Sequence, residues 1–159
     1  MLTFLNLEAE GFCSIESLHL QLNPTCTILI KAPNGKGKST ILSSLVWAIY
    51  GKNLKGVSEV NTWKQVRPKD YKGTRVQVYF QKDSHTYKII RCQKYEGVLD
   101  DGAKGKDRLI FMKDGDIVDI KGKGKIQDFI NREIGLSYTL FMNSIMFGQG
   151  IKRLIQESN

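Results

Sequence analysis

Alternating apolar and polar residues dominate the first part of this chain. Residues 2–9 and 17–22 both show the period of two that is typical of a strand with one buried face. Residues 26–30 (CTILI) form a short, nearly unbroken apolar run between turn signals, which favours a strand buried on both faces. We therefore predict three strands before residue 31.

A helical period replaces the alternation at residue 39. Ile41, Leu45 and Ile49 recur every four residues in STILSSLVWAIYG (39–51), and Gly51 stands where a helix commonly ends. The sequence predicts a helix that starts near Ser39, directly after a lysine- and glycine-rich segment.

Two β-hairpins are predicted in the middle of the chain. Residues 74–94 contain two alternating runs joined at KDSH, and residues 108–120 repeat this pattern around the turn pair Asp114-Gly115. The polar segments 52–73 and 96–107 show no clean period, so we predict loops there.

The last part of the chain is predicted to contain two helices and a strand. A helix within 121–137 carries an apolar stripe and ends at Gly135, and Ser137 caps a short helix that extends through Phe141. The apolar run 144–150 predicts a final strand that ends in Gly-Gln-Gly. The pattern as a whole predicts one α/β domain with a mixed sheet.

Composition narrows the class of protein. With 159 residues, 41% of them hydrophobic and 25% charged, the chain suits one globular domain. It has neither a signal-peptide profile nor an apolar run of the ~18 residues that span a bilayer. Three widely spaced cysteines (Cys13, Cys26 and Cys92) predict reduced thiols in a cytoplasmic protein, and we do not expect a structural zinc. The net charge of +8 favours an anionic partner such as nucleic acid, although a solvated basic surface explains it equally well.

A phosphate-binding motif joins the third strand to the first helix. Residues 32–39 read APNGKGKS, close to the pattern GxxxxGK[ST], with Ala32 in place of the first glycine. The glycines allow successive N–H groups to converge on one anion, and the helix start adds its positive end. We expect the nucleotide to be held by Asn34, Gly35, Lys36, Gly37, Lys38, Ser39 and Thr40. Lys38 would neutralise the β- and γ-phosphates and Ser39 would bind Mg²⁺, so ATP and Mg²⁺ are the expected ligands.

The same residues resemble a known family. APNGKGKSTILSSLVWAIYG is similar to the Walker A segment of the SMC, RecF and SbcC group of ABC-type DNA ATPases, and most similar to the SbcC-type (Rad-fifty) repair ATPases, including phage exonuclease subunits. The opening strands, the hairpin ending at Arg91 and the segment around Gln149 fit this resemblance, which implies the fold of an N-terminal P-loop lobe. Cys13 departs from it, because cellular members usually carry an arginine near the nucleotide there.

The resemblance also implies roles and partners. Gln149 would be the Q-loop glutamine, which reaches Mg²⁺ and the attacking water, and it joins Lys38 as an expected catalytic residue. The family implies an SbcD-type nuclease partner, DNA ends as substrate, and an ATP-dependent dimer of heads without membrane association.

Several parts of such an ATPase do not occur in the sequence. We find no Walker B Asp-Glu pair, no LSGG-like signature and no switch histidine. In SbcC-like proteins these follow a long coiled coil, so residues 1–159 are expected to be the N-terminal lobe, either a fragment or one piece of a split protein. The C-terminal lobe would then come in cis or as a separate chain, and this lobe alone would hydrolyse ATP poorly.

Basic residues form three clusters that could contact DNA phosphates. The predicted DNA contacts are Lys64, Arg67, Lys69 and Lys72 in the first cluster, Lys104 and Lys106 in the second, and Lys121, Lys123 and Lys125 in the third. Trp63 and Tyr71 lie within the first cluster, and we expect them to pack rather than to stack on bases.

Alternative functions remain open at this stage. Another SMC- or RecF-like head would differ mainly in its C-terminal lobe. A P-loop kinase would need an arginine-rich lid, and a GTPase would need an NKxD motif, which does not occur here. A non-hydrolysing module that binds nucleotide and nucleic acid is the third possibility.

Overall fold

An antiparallel sheet forms the centre of the molecule. The computed structural model describes residues 2–22 and 38–143. In those residues the strands are β1 (Thr3–Phe12), β2 (Ile15–Gln21), β3 (Thr74–Lys82), β4 (His85–Gln93), β5 (Tyr95–Val98), β6 (Lys104–Lys106), β7 (Leu109–Lys113) and β8 (Asp116–Ile117). Six of them form one sheet in the order β2-β1-β3-β4-β7-β8, and β5 pairs with β6 in a separate ribbon.

Both predicted hairpins are confirmed, and their turns explain their registers. Lys82 pairs with His85, so Asp83 and Ser84 form a two-residue turn in which both φ angles are positive, at 50° and 70°. That is the condition for a type I′ turn, which matches the twist of the flanking strands. Asp114-Gly115 joins β7 to β8 in the same way, with φ angles of 52° and 87°.

The helices cover the sheet and close the core. These are α1 (Lys38–Tyr50), α2 (Lys123–Ile134) and the short α3 (Tyr138–Phe141). Helix α1 packs on β3 and β4, and α2 packs on β7. The rings of Phe80, Tyr87 and Phe111 stack in sequence, with centroids 4.9 and 5.6 Å apart. No described helix has both the length and the apolar character that crossing a bilayer requires.

The predicted helix ends are confirmed. Gly51 has a φ of 77° and donates its N–H to the carbonyl of Trp47, while Gly135 has a φ of 78° and closes α2. The Ser137 hydroxyl accepts a hydrogen bond from the Leu140 N–H and so caps α3. The predicted strands 26–30 and 144–150 lie outside the described residues.

The loop predicted at 96–107 is wrong in part, because β5 and β6 form there. Their glycines lie against the ring of Tyr95: a Cβ at Gly97 would come within 2.4 Å of that ring, and one at Gly105 within 2.7 Å. The glycines therefore allow two short strands to close over a buried tyrosine. The segment 52–73 is irregular as predicted, apart from a 3-10 helix at Lys64–Val66 and a bridge between Phe12 and Asn61.

At Gly11, β1 passes close to the segment before β3. Its φ is +61°, and a Cβ there would lie 2.1 Å from the carbonyl oxygen of Gly73. The Gly11 carbonyl accepts hydrogen bonds from the hydroxyls of Tyr71, at 2.9 Å, and Thr74, at 2.7 Å. A side chain at this position would separate the two chain segments.

We predict that Gly11→Ala lowers the free energy of unfolding by about 3 kcal/mol or more, since left-handed backbone and steric overlap both contribute. Gly102→Ala is the matched control: its φ is +82°, but a Cβ there meets nothing within 4 Å. The control should lose only the conformational contribution of roughly 1–2 kcal/mol. Equal losses for the two variants in urea unfolding would show that the close approach at Gly11 has no energetic weight.

Candidate functional site

The first turn of α1 is the described part of the predicted phosphate site. The helix is described from Lys38 onward, close to the predicted start near Ser39, and Ser39 and Thr40 are half-buried in its first described turn. The first N–H groups of a helix have no partner within it, and the positive end of the dipole lies there, so this end suits an anion. Residues Asn34, Gly35, Lys36 and Gly37, the side chain of Lys38, and Gln149 lie outside the description.

The other end of α1 is held by Arg91, the inward-facing residue at the end of β4. Its Nε donates to the carbonyl of Ala48 at 3.0 Å, and its Nη2 donates to that of Ile49 at 3.3 Å. These carbonyls belong to the last turn of α1, where a helix carries partial negative charge. The guanidinium thus satisfies acceptors that the helix itself leaves unpaired.

Arg91 is buried without a carboxylate partner in the described part of the chain. Only 7% of the residue is exposed, and burial lowers the pKa of its guanidinium to about 10, which still leaves it charged at neutral pH. Gln127 on α2 also offsets the cost of burying this charge, because its Oε1 accepts a hydrogen bond from the Arg91 Nη2. Gln127 also donates its Nε2 to the Ile49 carbonyl at 2.8 Å. One guanidinium therefore fixes α1, β4 and α2 relative to one another.

The sequence pattern identifies Arg91 only as the end of a hairpin, and its contact with α1 was not predicted. Its position in the strand could have indicated the contact, since Tyr87, Ile89 and Arg91 alternate on one buried face of β4. A lone arginine in register with core residues indicates a buried acceptor group.

Cys13 occupies the turn between β1 and β2, where the family resemblance would place an arginine. Its N–H donates to the carbonyl of Val60 at 2.8 Å, and its own carbonyl accepts from the Thr62 hydroxyl at 2.6 Å. Burial, and secondarily Glu59, raise the pKa of the Cys13 thiol, so the side chain stays neutral. It cannot replace the charge of an arginine. Cys13 and Cys92 are free thiols, as predicted, and Cys26 is outside the description.

The two aromatic residues of the first basic cluster have opposite roles. Tyr71 packs as predicted: its hydroxyl donates to the Gly11 carbonyl and accepts from the Thr62 N–H at 2.9 Å and the Asn61 amide at 3.1 Å. The prediction that Trp63 packs is wrong, because this residue is 78% exposed. The backbone of the preceding residue, Thr62, is held on both its N–H, by the Tyr71 hydroxyl, and its carbonyl, by the Arg67 Nε.

The predicted DNA-contacting residues differ in their surroundings. Lys104 forms an ion pair with Glu96 at 2.9 Å, and neighbouring Arg108 pairs with Asp101, so the second cluster is largely neutralised. The Arg67 guanidinium lies over the Tyr71 ring at 4.7 Å. The remaining candidates are all exposed: Lys64, Lys69 and Lys72 in the first cluster, Lys106 in the second, and Lys121, Lys123 and Lys125 around the start of α2.

Of the two predicted metal ligands, Ser39 and Gln149, Ser39 is the one that lies within the described residues. Within 2–22 and 38–143, no group of three His, Cys, Asp or Glu side chains could hold an ion. A hydroxyl in the first turn of α1 is the donor that Mg²⁺ would use beside nucleotide phosphates, so Ser39 fits the predicted ligand in type and place.

Comparisons with known proteins agree with the predicted family resemblance. A family model described as "AAA domain" matches residues 6–159. Exonuclease subunit 2 of Escherichia phage RB69 is 26% identical over 139 residues, which are 82% of this chain and 21% of the phage protein. The DNA double-strand break repair Rad50 ATPase of Methanopyrus kandleri is 23% identical over 156 residues, covering 94% of this chain and 16% of that protein. This chain thus spans about a fifth of the length of the phage protein and about a sixth of that of the Rad50 ATPase.

Solved structures agree on the fold. A structure of the recombination mediator protein RecF with ATP aligns with a TM-score of 0.52 and 20% identity, over 79% of this chain and 30% of the RecF chain. A structure from work on ATP-driven dimerization and DNA-stimulated activation of SMC ATPases aligns with a TM-score of 0.54 and 20% identity, over 97% of this chain and 91% of the other. The predicted fold class, an N-terminal P-loop lobe of the SMC type, is confirmed.

We predict that Arg91→Met lowers the free energy of unfolding by about 2–4 kcal/mol, because buried carbonyls of α1 lose their donor. Arg108→Met is the matched control, since its partner Asp101 is on the surface and solvent screens that pair. Urea unfolding followed by circular dichroism measures both. If the midpoint moves equally in the two variants, Arg91 does not anchor α1 as described.

Proposed function

This chain belongs to the AAA domain family, and on that premise we propose that residues 1–159 form the ATP-binding N-terminal lobe of an SbcC-type DNA repair ATPase. The observation that carries the proposal is the position of α1. Its described part starts at Lys38, within the phosphate-binding motif, and its far end is anchored through Arg91. A helix held in this way offers a fixed positive end to phosphate.

The residues present suit ATP with Mg²⁺. The backbone of Asn34, Gly35, Lys36 and Gly37 would surround the phosphates, and Lys38 would carry the compensating charge. Ser39 would provide a hydroxyl to Mg²⁺, and Thr40 would lie near the α-phosphate. Gln149 would provide a further ligand to Mg²⁺. The bound Mg²⁺ would neutralise phosphate charge, while these residues bind and orient the nucleotide.

Hydrolysis on this proposal needs more than one lobe. The sequence contains neither the Walker B acid pair nor the signature motif, so the groups that orient water and stabilise charge would come from a C-terminal lobe, in cis or as a separate chain. ATP would then join two heads across the phosphate site. We therefore expect this lobe to bind ATP with weak or no turnover by itself.

The proposed substrate is DNA, and the proposed partner is an SbcD-type nuclease that trims DNA ends. The names of the two relatives, an exonuclease subunit and a double-strand break repair ATPase, support both assignments. The exposed lysines of the first and third basic clusters support contacts to DNA phosphates, whereas the ion pair of Lys104 makes that residue a weaker candidate. Such a protein would act in the cytoplasm, at the nucleoid.

A second candidate is the head lobe of another SMC- or RecF-like DNA ATPase. The similar TM-scores of 0.52 and 0.54 with RecF and SMC structures favour neither subfamily. Both candidates share the ATP site and differ in the lobe that completes it.

We predict that Lys38→Ala weakens MgATP binding by roughly 10- to 100-fold, the cost of losing a charged hydrogen bond. Lys55→Ala removes an equal charge from an exposed loop and should leave ATP affinity unchanged. Titration calorimetry gives the ATP affinity, and fluorescence anisotropy of a labelled DNA gives the DNA affinity. Retained DNA binding in Lys38→Ala supports separate sites. If the unaltered protein shows no ATP affinity and Lys38→Ala loses DNA binding, the phosphate-binding motif binds DNA phosphate instead, and the ATPase proposal fails.

A further inference from the structure

Two large apolar side chains are exposed on the short 3-10 helix and its N-terminal flank. Trp63 is 78% exposed and Val66 is 68% exposed, whereas Trp47, the other tryptophan of the chain, is 2% exposed. An exposed indole of this size leaves a large apolar surface in water, and tryptophan is an efficient binding residue because its ring is rigid. Three exposed lysines, Lys64, Lys69 and Lys72, lie in the same ten-residue segment, and we refer to these five residues together as the Trp63 surface.

The backbone beneath the Trp63 surface is fixed by hydrogen bonds. The Arg67 Nε donates to the Thr62 carbonyl at 2.6 Å, and the Val66 N–H donates to the Trp63 carbonyl at 3.0 Å. The Thr62 N–H donates to the Tyr71 hydroxyl at 2.9 Å, which ties the segment to β1 through Gly11. The exposure of Trp63 therefore belongs to an ordered segment, and binding would cost little further ordering of the chain.

The charges of the Trp63 surface are positive and unpaired. In the described residues, Lys64, Lys69 and Lys72 are exposed and form no ion pair. Other exposed cations of the same lobe do pair: Lys94 with Glu59, and Lys104 with Glu96. Asp70 is the one acidic residue between 61 and 75. Asp70 pairs with none of the three lysines in the described residues, so their charges stay available to an anionic partner.

We propose that the Trp63 surface binds single-stranded nucleic acid, with a base stacked on the indole and phosphates on the lysines. Aromatic platforms beside basic side chains are the common device for binding single strands. A protein partner fits less well, because lysine is depleted at the centres of protein interfaces. A duplex keeps its base faces covered, except at frayed ends. The proposal rests on the proposed function for the choice of DNA, and it adds a strand type and a stacking residue to it.

Tryptophan fluorescence tests this proposal on the whole chain, because Trp47 and Trp63 are its two tryptophans. Titration with single-stranded oligothymidine should quench the emission, and Trp63→Phe should abolish the quenching, since only buried Trp47 would remain. In anisotropy with a labelled oligonucleotide, Trp63→Phe should keep most of the affinity, and Trp63→Ala should lose roughly 5- to 100-fold. A blunt duplex of equal length should quench far less.

Charge variants test the phosphate contacts. Lys64→Ala and Lys69→Ala should each weaken binding and reduce the slope of log affinity against log salt by about 0.7. Arg132→Ala removes an exposed charge from α2 and should leave that slope unchanged. Equal effects of all three variants would indicate general attraction by net charge, and would overturn the proposal.

Other outcomes separate this proposal from the ATPase proposal. If MgATP quenches Trp63 and oligothymidine does not, the indole belongs to the nucleotide and the single-strand proposal fails, while ATP binding stands. If oligothymidine quenches Trp63 but MgATP does not bind, the surface is confirmed and the ATPase proposal fails. If Trp63→Ala binds oligothymidine as tightly as the unaltered chain, stacking is excluded.

Discussion

The buried guanidinium of Arg91 is the contact on which the arrangement of this lobe depends. It joins the end of β4 to the last carbonyls of α1 and to Gln127 of α2, although no carboxylate accompanies it in the described residues. The negative end of α1 and three oxygen acceptors offset its desolvation. Because the C-terminal end of α1 is fixed to the sheet, its N-terminal end is fixed too, and that end is the proposed phosphate site.

Features that depend on neighbouring residues in the chain were predictable. The apolar period of α1, the glycines that end α1 and α2, and the Asp114-Gly115 turn all determine structure within a few residues. The phosphate motif is predictable for the same reason, since its residue types and spacing are themselves the chemistry. Its glycines and Gln149 fall outside the described residues, so their roles stay predictions.

Features that depend on distant contacts were not predictable from pattern. Gly97 and Gly105 suggested a loop, yet both lie in strands, where the Tyr95 ring occupies the space that their side chains would need. Trp63 suggested a core residue, but Thr62 and Arg67 hold the segment so that the indole faces water. Each outcome depends on a contact partner that the local pattern does not identify.

We propose that residues 34–40, next to an anchored α1, hold the phosphates of ATP. The most direct measurement is the change in backbone amide chemical shifts of the ¹⁵N-labelled chain during titration with MgATP. We expect saturable shifts that are largest at Gly35, Gly37, Lys38 and Ser39, with smaller changes at the Arg91 end of α1. Shifts that are absent, or that concentrate elsewhere on the lobe while residues 34–40 stay unchanged, would contradict it.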